Sequence, residues 1–197
     1  MIQNAWLMPR IYPGWECHVW LGDDVPLETA GRLFDLNCVL HVLNLGWRQR
    51  MFYRLLIHDE PGVERYLIRD ADSRISMRER RCVDEWMRTD AILHTIHDHF
   101  YHQRPIQGGM FGIWRSKLDL GCSMREFIGN YPAIDKWGRD EEFLEQRLWP
   151  KVSHSFFEHG RQHPIPAIEN EDPGAFIGEI YDANGQPEHP EHRTMGK

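Results

Sequence analysis

Two aspartates, Asp70 and Asp72, stand two residues apart in Arg69-Asp70-Ala71-Asp72-Ser73-Arg74, directly after the apolar run at residues 63–68 (VERYLI). Period-two spacing sends both side chains the same way if the strand continues, and a turn converges them equally well. Paired hard carboxylates suit Mn²⁺ or Mg²⁺, ions that keep positions free for water and substrate phosphates. A plainer reading stands beside this one: Asp-Ala-Asp-Ser only caps and turns the chain before the next helix. Upstream, Arg54 lies on an apolar segment, and its planar guanidinium can fork onto a phosphate.

Other chemistry-bearing residues fall later in the chain. His94, His97, His99 and His102 crowd one segment with Asp98, without the spacing of a zinc-protease helix. They read as pocket-wall or surface residues, as a zinc site, or as substrate contacts. Gly108 and Gly109 let backbone approach a ligand, or simply make a tight turn. Asp140 and Glu141 read locally as an N-cap and a first-turn charge, and an N-cap carboxylate can also contact a ligand. His154 and His159 fall near the end of the strand–helix pattern and read as surface residues, and Trp114 beside the glycines reads as a core residue by default. Cys17, Cys38, Cys82 and Cys122 form no Cys-x-x-Cys pair and read as free thiols.

The elements that must position these groups alternate between strand and helix. Residues 15–21, 38–43, 63–68 and 91–96 read as strands. Residues 27–34 and 51–57 are helical, and Asp59-Glu60-Pro61-Gly62 is a turn. Ser76 and Glu79 form a capping box opening a helix that ends near Thr89-Asp90. Gly108–Gly112 is a flexible loop or close-packed turn. Residues 140–149 form a helix stopped by Pro150, and residues 176–181 a last strand. Past Asp182 the composition predicts a frayed end. Strands separated by helices imply an α/β domain with a mixed or largely parallel sheet, and ligands in such sheets sit beyond the carboxyl ends of the strands.

Composition narrows the partners. The chain has 197 residues, 41% of them hydrophobic, enough for one domain with a sizeable core. With 23 basic against 30 acidic residues its formal charge is −7, so it has no global attraction for nucleic-acid backbones. No run approaches the roughly 20 apolar residues that span a bilayer, and no leader precedes the first residues, so a cytoplasmic protein is expected (host cytoplasm, if viral).

Residues 51–76 (MFYRLLIHDEPGVERYLIRDADSRIS) resemble, in order and spacing, the donor-site region of GT-A glycosyltransferases, especially the glycogenin-like type. There an aromatic-Arg pair on a helix precedes a turn, a buried strand and an Asp-x-Asp metal motif. RDADSRISMRERRCVDEWM and HTIHDHFYHQRPIQGGMFG look like a bacterial and viral group assigned to glycosyltransferases, the likeness running from Tyr12-Pro13-Gly14-Trp15 to Phe176-Ile177-Gly178. The resemblance implies a single GT-A-like, Rossmann-like domain over residues 1–182, with a mixed, mostly parallel sheet and a flexible tail at 183–197. The usual first strand, which with its loop holds the nucleoside base, is missing from this pattern.

Function follows from the same resemblance. A metal-dependent enzyme moves a sugar from a nucleotide-diphosphate donor to an acceptor hydroxyl on a saccharide, protein or modified nucleic acid. Asp70, Asp72 and His159 hold Mn²⁺ or Mg²⁺; Arg54, Ala71, Arg74, Gly108 and Gly109 complete the donor side. Asp98, Asp140 and Glu141 are the candidates for catalytic contacts, with His99 a further contact. Two rivals belong to other classes: a non-catalytic nucleotide- or sugar-binding module of this fold, and a zinc-stabilised structural protein built on the histidines.

Overall fold

A computed structural model describes residues 1–43, 50–132, 138–168, 172 and 174–194. Helix α1 (Ile2–Ile11) precedes strand β1 (His18–Leu21), helix α2 (Leu27–Asp35) and strand β2 (Val39–Val42), and β1 pairs with β2 in parallel. Helix α3 (Arg50–Tyr53) tightens into a 3-10 segment, Arg54–Asp59, that buries Leu55, Leu56 and Ile57 and leads to β3 (Arg65–Arg69). Then come α4 (Met77–Met87), β4 (Leu93–Ile96), β5 (Met110–Trp114), α5 (Met124–Gly129), α6 (Arg139–Phe143), α7 (Trp149–Val152) and β6 (Phe156–His159).

The larger sheet has the order β3-β5-β4-β6. β5 runs antiparallel to both β3 and β4, while β4 and β6 are parallel. The α/β class and the mixed sheet agree with the sequence reading, whereas two of this sheet's three pairings are antiparallel. The reason is β5. A five-residue apolar run behind two glycines carries no periodicity that separates strand from turn, and it forms an interior strand that reverses the direction. A Cβ on Gly112 would come within 2.7 Å of Leu67 and 3.0 Å of Trp86, so this glycine lets the fully buried Trp86 of α4 lie on the sheet. On the opposite face Phe111, Ile113, Leu93, Phe127, Phe143 and Leu148 belong to the main core cluster.

Three boundaries differ from expectation. Ser76 accepts the Glu79 N–H, but the Glu79 carboxylate is buried on Arg69 Nε at 2.7 Å and on the Tyr12 hydroxyl, so it does not close the box. The full reciprocal box is at Ser123 and Glu126. Pro150 does not stop its helix: a π segment, Leu144–Leu148, joins α6 to α7, and Pro150 sits in the first turn of α7, where a missing N–H costs little. The expected last strand is reduced to isolated bridges, Ser73 with Ile180 and Tyr181 with Pro187. Beyond Asp182, where composition predicts fraying, the chain folds back. Glu188 N–H bonds the Ile180 carbonyl at 2.9 Å, and Arg193 forks onto the buried Glu179 carboxylate. No helix among the described residues is long and apolar enough to cross a membrane.

Candidate functional site

Because β3, β4 and β6 run together and β5 opposes them, one sheet edge collects their carboxyl ends and the start of β5. Asp70 follows β3 there, Asp98 follows β4, and Gly108-Gly109 precede β5. The Arg69–Met110 register, continued one step, sets Asp70 opposite Gly109. A Cβ on Gly109 would lie 2.0 Å from Asp70 Oδ2, so only glycine allows this approach.

Arg54 closes the group from the side. Its guanidinium pairs with Asp70 through Nη1 and with Asp140 Oδ2 through Nη2 at 2.5 Å. The packing of the 3-10 segment against the core fixes where that arginine starts. Gly108 sits over the same guanidinium: a Cβ there would be 3.3 Å from Arg54 Nη2 and 3.5 Å from Glu141. The N-cap of α6 is Gly138 in the left-handed region, φ 74°, so the expected cap role of Asp140 falls away. Asp140 instead points inward from the first turn, only 2% exposed, and among the described residues its Oδ1 has no hydrogen-bond partner. Burial, helped by the charges of Asp140 and Asp70, holds the Glu141 carboxyl above its ordinary value. Arg104, which the sequence reading passed over, faces Glu141 at 3.8 Å and Glu145 at 2.5 Å. Its position four residues before Gly108 was the available signal.

Asp72 lies on a different side. It lines a cleft of about 860 Å³ with Ala71, Arg74, Trp6, Arg32 and Tyr181. The turn between the two aspartates is stapled from both ends of the chain. Asn4 Nδ2 bonds the Ser73 carbonyl at 2.8 Å, Tyr181 N–H bonds the Asp72 carbonyl at 2.9 Å, and the Met1 amine bonds the Ala71 carbonyl at 2.7 Å. Arg74 is held by Gln3 at 2.9 Å and lies over the Tyr181 ring.

Several expected site residues have other tasks. Asp98 takes Arg78 on Oδ1 and the Ile177 N–H on Oδ2, both at 2.8 Å, so it anchors the C-terminal segment with both oxygens. His159 is fully buried on β6, with Nδ1 on His94 at 2.9 Å and Nε2 on Glu85 at 3.0 Å. β6 is three strand positions from β3, roughly 14 Å at ordinary inter-strand spacing. His159 is therefore removed from the expected metal set. Trp114 is paired with Arg65 at the far end of β5, away from Gly109, and its ring carries Arg65 and Lys117, each 3.6 Å from its centroid.

The crowded histidines do not converge on a shared ion either. His97 Nε2 bonds the Arg104 carbonyl at 2.7 Å, His102 Nδ1 accepts the Asp98 N–H at 3.1 Å, and His99 stacks on Phe176. Burial pushes His97 down to about 4 and His102 down to about 3, and holds His94 well below the usual range. Among the described residues, the one group of three donor side chains gathered within 4.8 Å is His189, Glu191 and His192, on the surface turn near the C-terminus.

The pocket around Arg54 gathers acidic side chains, but among the described residues it does not bring three donor side chains within 4.8 Å of one another. Asp140 Oδ1 is buried without a partner among the described residues, and two carboxylates, Asp70 and Asp140, pair with Arg54, while Glu141 faces Arg104 at the rim. Buried anionic oxygens of this kind call for positive charge or hydrogen-bond donors. Comparison with protein-family models, with curated proteins and with solved structures returns no match.

Proposed function

We propose that this chain is a metal-dependent glycosyltransferase that moves a sugar from a nucleotide-diphosphate donor to an acceptor hydroxyl. The observation that supports it most is the convergence of Arg54, Asp70, Gly108, Gly109, Asp140 and Glu141, drawn from four separated stretches of sequence into one half-buried pocket. The same residues carry the sequence's resemblance to a GT-A donor site.

In this reading Asp70 would hold the cation together with water and the donor's phosphates, Asp72 lying apart on the neighbouring cleft, and Mn²⁺ or Mg²⁺ would supply Lewis-acid stabilisation of the departing diphosphate. Arg54 offers a planar fork to the phosphates. Gly108 and Gly109 leave backbone-wide room for a sugar ring, since any side chain there would meet Arg54 or Asp70. Glu141, its proton affinity raised by burial and by its acidic neighbours, is the group suited to take a proton from the acceptor hydroxyl. Asp140 orients Arg54 from below. The cleft beside Asp72 has the volume of a small-molecule site and carries Trp6 as an apolar wall.

A thermal-shift screen of nucleoside diphosphates and nucleotide-sugars, with and without Mn²⁺, tests this. One base should stabilise the chain only with metal, by about 2.7 kcal/mol at a hundredfold excess over Kd. No response to any of them sinks the proposal. Binding without EDTA-sensitive turnover would leave a nucleotide-sugar-binding module.

A further inference from the structure

We propose that His189, Glu191 and His192 form a zinc site on the C-terminal turn, and that the ion clips residues 180–194 to the body of the protein. The site shares no residue with the Arg54 pocket and does not depend on what that pocket binds.

The residue types choose the ion. Two imidazoles and one carboxylate suit Zn²⁺, which takes nitrogen and oxygen donors, whereas Mg²⁺ and Ca²⁺ prefer oxygen alone. One donor atom from each of the three residues lies within 4.8 Å of the other two, which no other trio among the described residues achieves. Ligands roughly 2.0–2.1 Å from a tetrahedral zinc stand about 3.4 Å apart, and His189 Nδ1 is 3.2 Å from Glu191 Oε1. The His189 and His192 rings stack with centroids 4.8 Å apart. The terminal torsion of a histidine is broad, so small turns of the two rings bring one nitrogen of each to a common point. His189 and Glu191 are exposed and His192 is half-buried, which leaves the fourth position to water.

The backbone holds the three together. Pro190 opens a 3-10 turn, Pro190–Thr194, and residues three apart eclipse one another in that helix. His192 is thereby set over His189, its N–H on the His189 carbonyl at 3.0 Å. The turn is pinned from several sides. His99 Nε2 bonds the His192 carbonyl at 3.0 Å, and not its ring, while the Thr194 hydroxyl donates to the Glu191 carbonyl at 2.8 Å. Arg193, between them, reaches back to the buried Glu179 carboxylate at 2.7 Å and to Asp172 at 2.8 Å.

The segment that carries this turn has little else to hold it. No residue from 180 to 194 is buried, and stretches with few buried contacts open locally at low cost. Its ties include two backbone bonds, Tyr181 N–H to the Asp72 carbonyl and Glu188 N–H to the Ile180 carbonyl, both at 2.9 Å. An ion that binds the closed turn and not the open one makes opening rarer in proportion to its occupancy.

The test uses the tag-free full chain and Zn²⁺ alone, titrated by calorimetry and against a chromogenic zinc chelator. The parent should take up one equivalent. His189→Asn and Glu191→Gln, both at exposed positions, should each weaken uptake by no less than the roughly ten- to hundredfold that even outer-shell losses cost. His154→Asn, an exposed histidine outside the trio, should match the parent. With zinc at a hundredfold excess over Kd, the Tyr181 and Glu188 amides should exchange with solvent up to about a hundredfold more slowly. A parent that takes up no zinc overturns the site, as do His189 and Glu191 variants that bind it as the parent does. Zinc bound through the trio with unchanged exchange at Tyr181 and Glu188 overturns the clip.

Discussion

The two sides of one sheet edge make different use of ionisable groups. On the β3 side Asp70 and Asp140 share the Arg54 guanidinium, burial raises the proton affinity of Glu141, and Asp70 is half open to solvent. On the β4–β6 side His94, His97, His102 and His159 are buried and neutral, and each is hydrogen-bonded to a neighbour. The histidine side has the larger count of candidate ligands and the poorer site. What separates them is access: Asp70 is half open to solvent, where a ligand can arrive, whereas the imidazoles are closed in on one another and on backbone, although His94 Nδ1 is itself without a partner among the described residues.

The comparison can be broken most directly at Asp70. Asp70→Asn should lower metal-dependent sugar transfer or donor hydrolysis by about a thousandfold, the range for losing a group that holds transition-state charge. His159→Ala should leave Mn²⁺ binding intact. A His159 variant that loses metal while staying folded would reverse the assignment of the two sides.

Stability should show the reverse ranking. His94→Ala empties a fully buried site stacked on Trp86 and strands the His159 Nδ1, and should cost about 2–4 kcal/mol in denaturant unfolding. Asp70→Asn should change stability by less than about 1 kcal/mol, because its ion pair is half exposed. Equal costs at the two positions would remove the distinction between a built core and an open site.

Gly109→Ala sharpens the same contrast with a smaller chemical change. Its methyl group would displace the Asp70 carboxylate, costing about 1–3 kcal/mol of stability and abolishing the metal-dependent shift with nucleotide. Gly121→Ala is a positive-φ control with open space around it and should leave that shift unchanged.

Acid should weaken the histidine side first. His94, His97 and His102 have folded-state values lowered below that of the unfolded chain, so unfolded chains bind more protons as pH drops. The stability they contribute is complete above about pH 6.5, the unfolded histidine value, and is lost progressively as pH falls through about 4 for His97 and about 3 for His102. Denaturant unfolding between pH 8 and 4 measures this; a flat profile would mean that these rings are solvated.

How much of this was legible in the sequence depended on range. β1, α2, β2, the Arg54 helix, β3 and β4 were readable because each carries its own hydrophobic period and turn signals, and the order of Arg54, Asp70, Asp72 and the paired glycines was readable by resemblance. β5 was not, since a short apolar run becomes an interior strand only when β3 and β4 are there to pair with it. Nor was the division of labour between Asp70 and Asp72: two carboxylates two residues apart face one way only on an unbroken strand, and here a turn stapled by Asn4 and Tyr181 sends them to different surfaces. The sequence by itself determined which groups were available to do chemistry and the local elements that carry them. Tertiary structure alone decided which of those groups meet, because the sheet order sets Gly109 against Asp70, while α6 brings Asp140 to Arg54 from 86 residues away. It also decided that the histidines, local in sequence and rich in ligand atoms, would use their nitrogens on one another and on backbone.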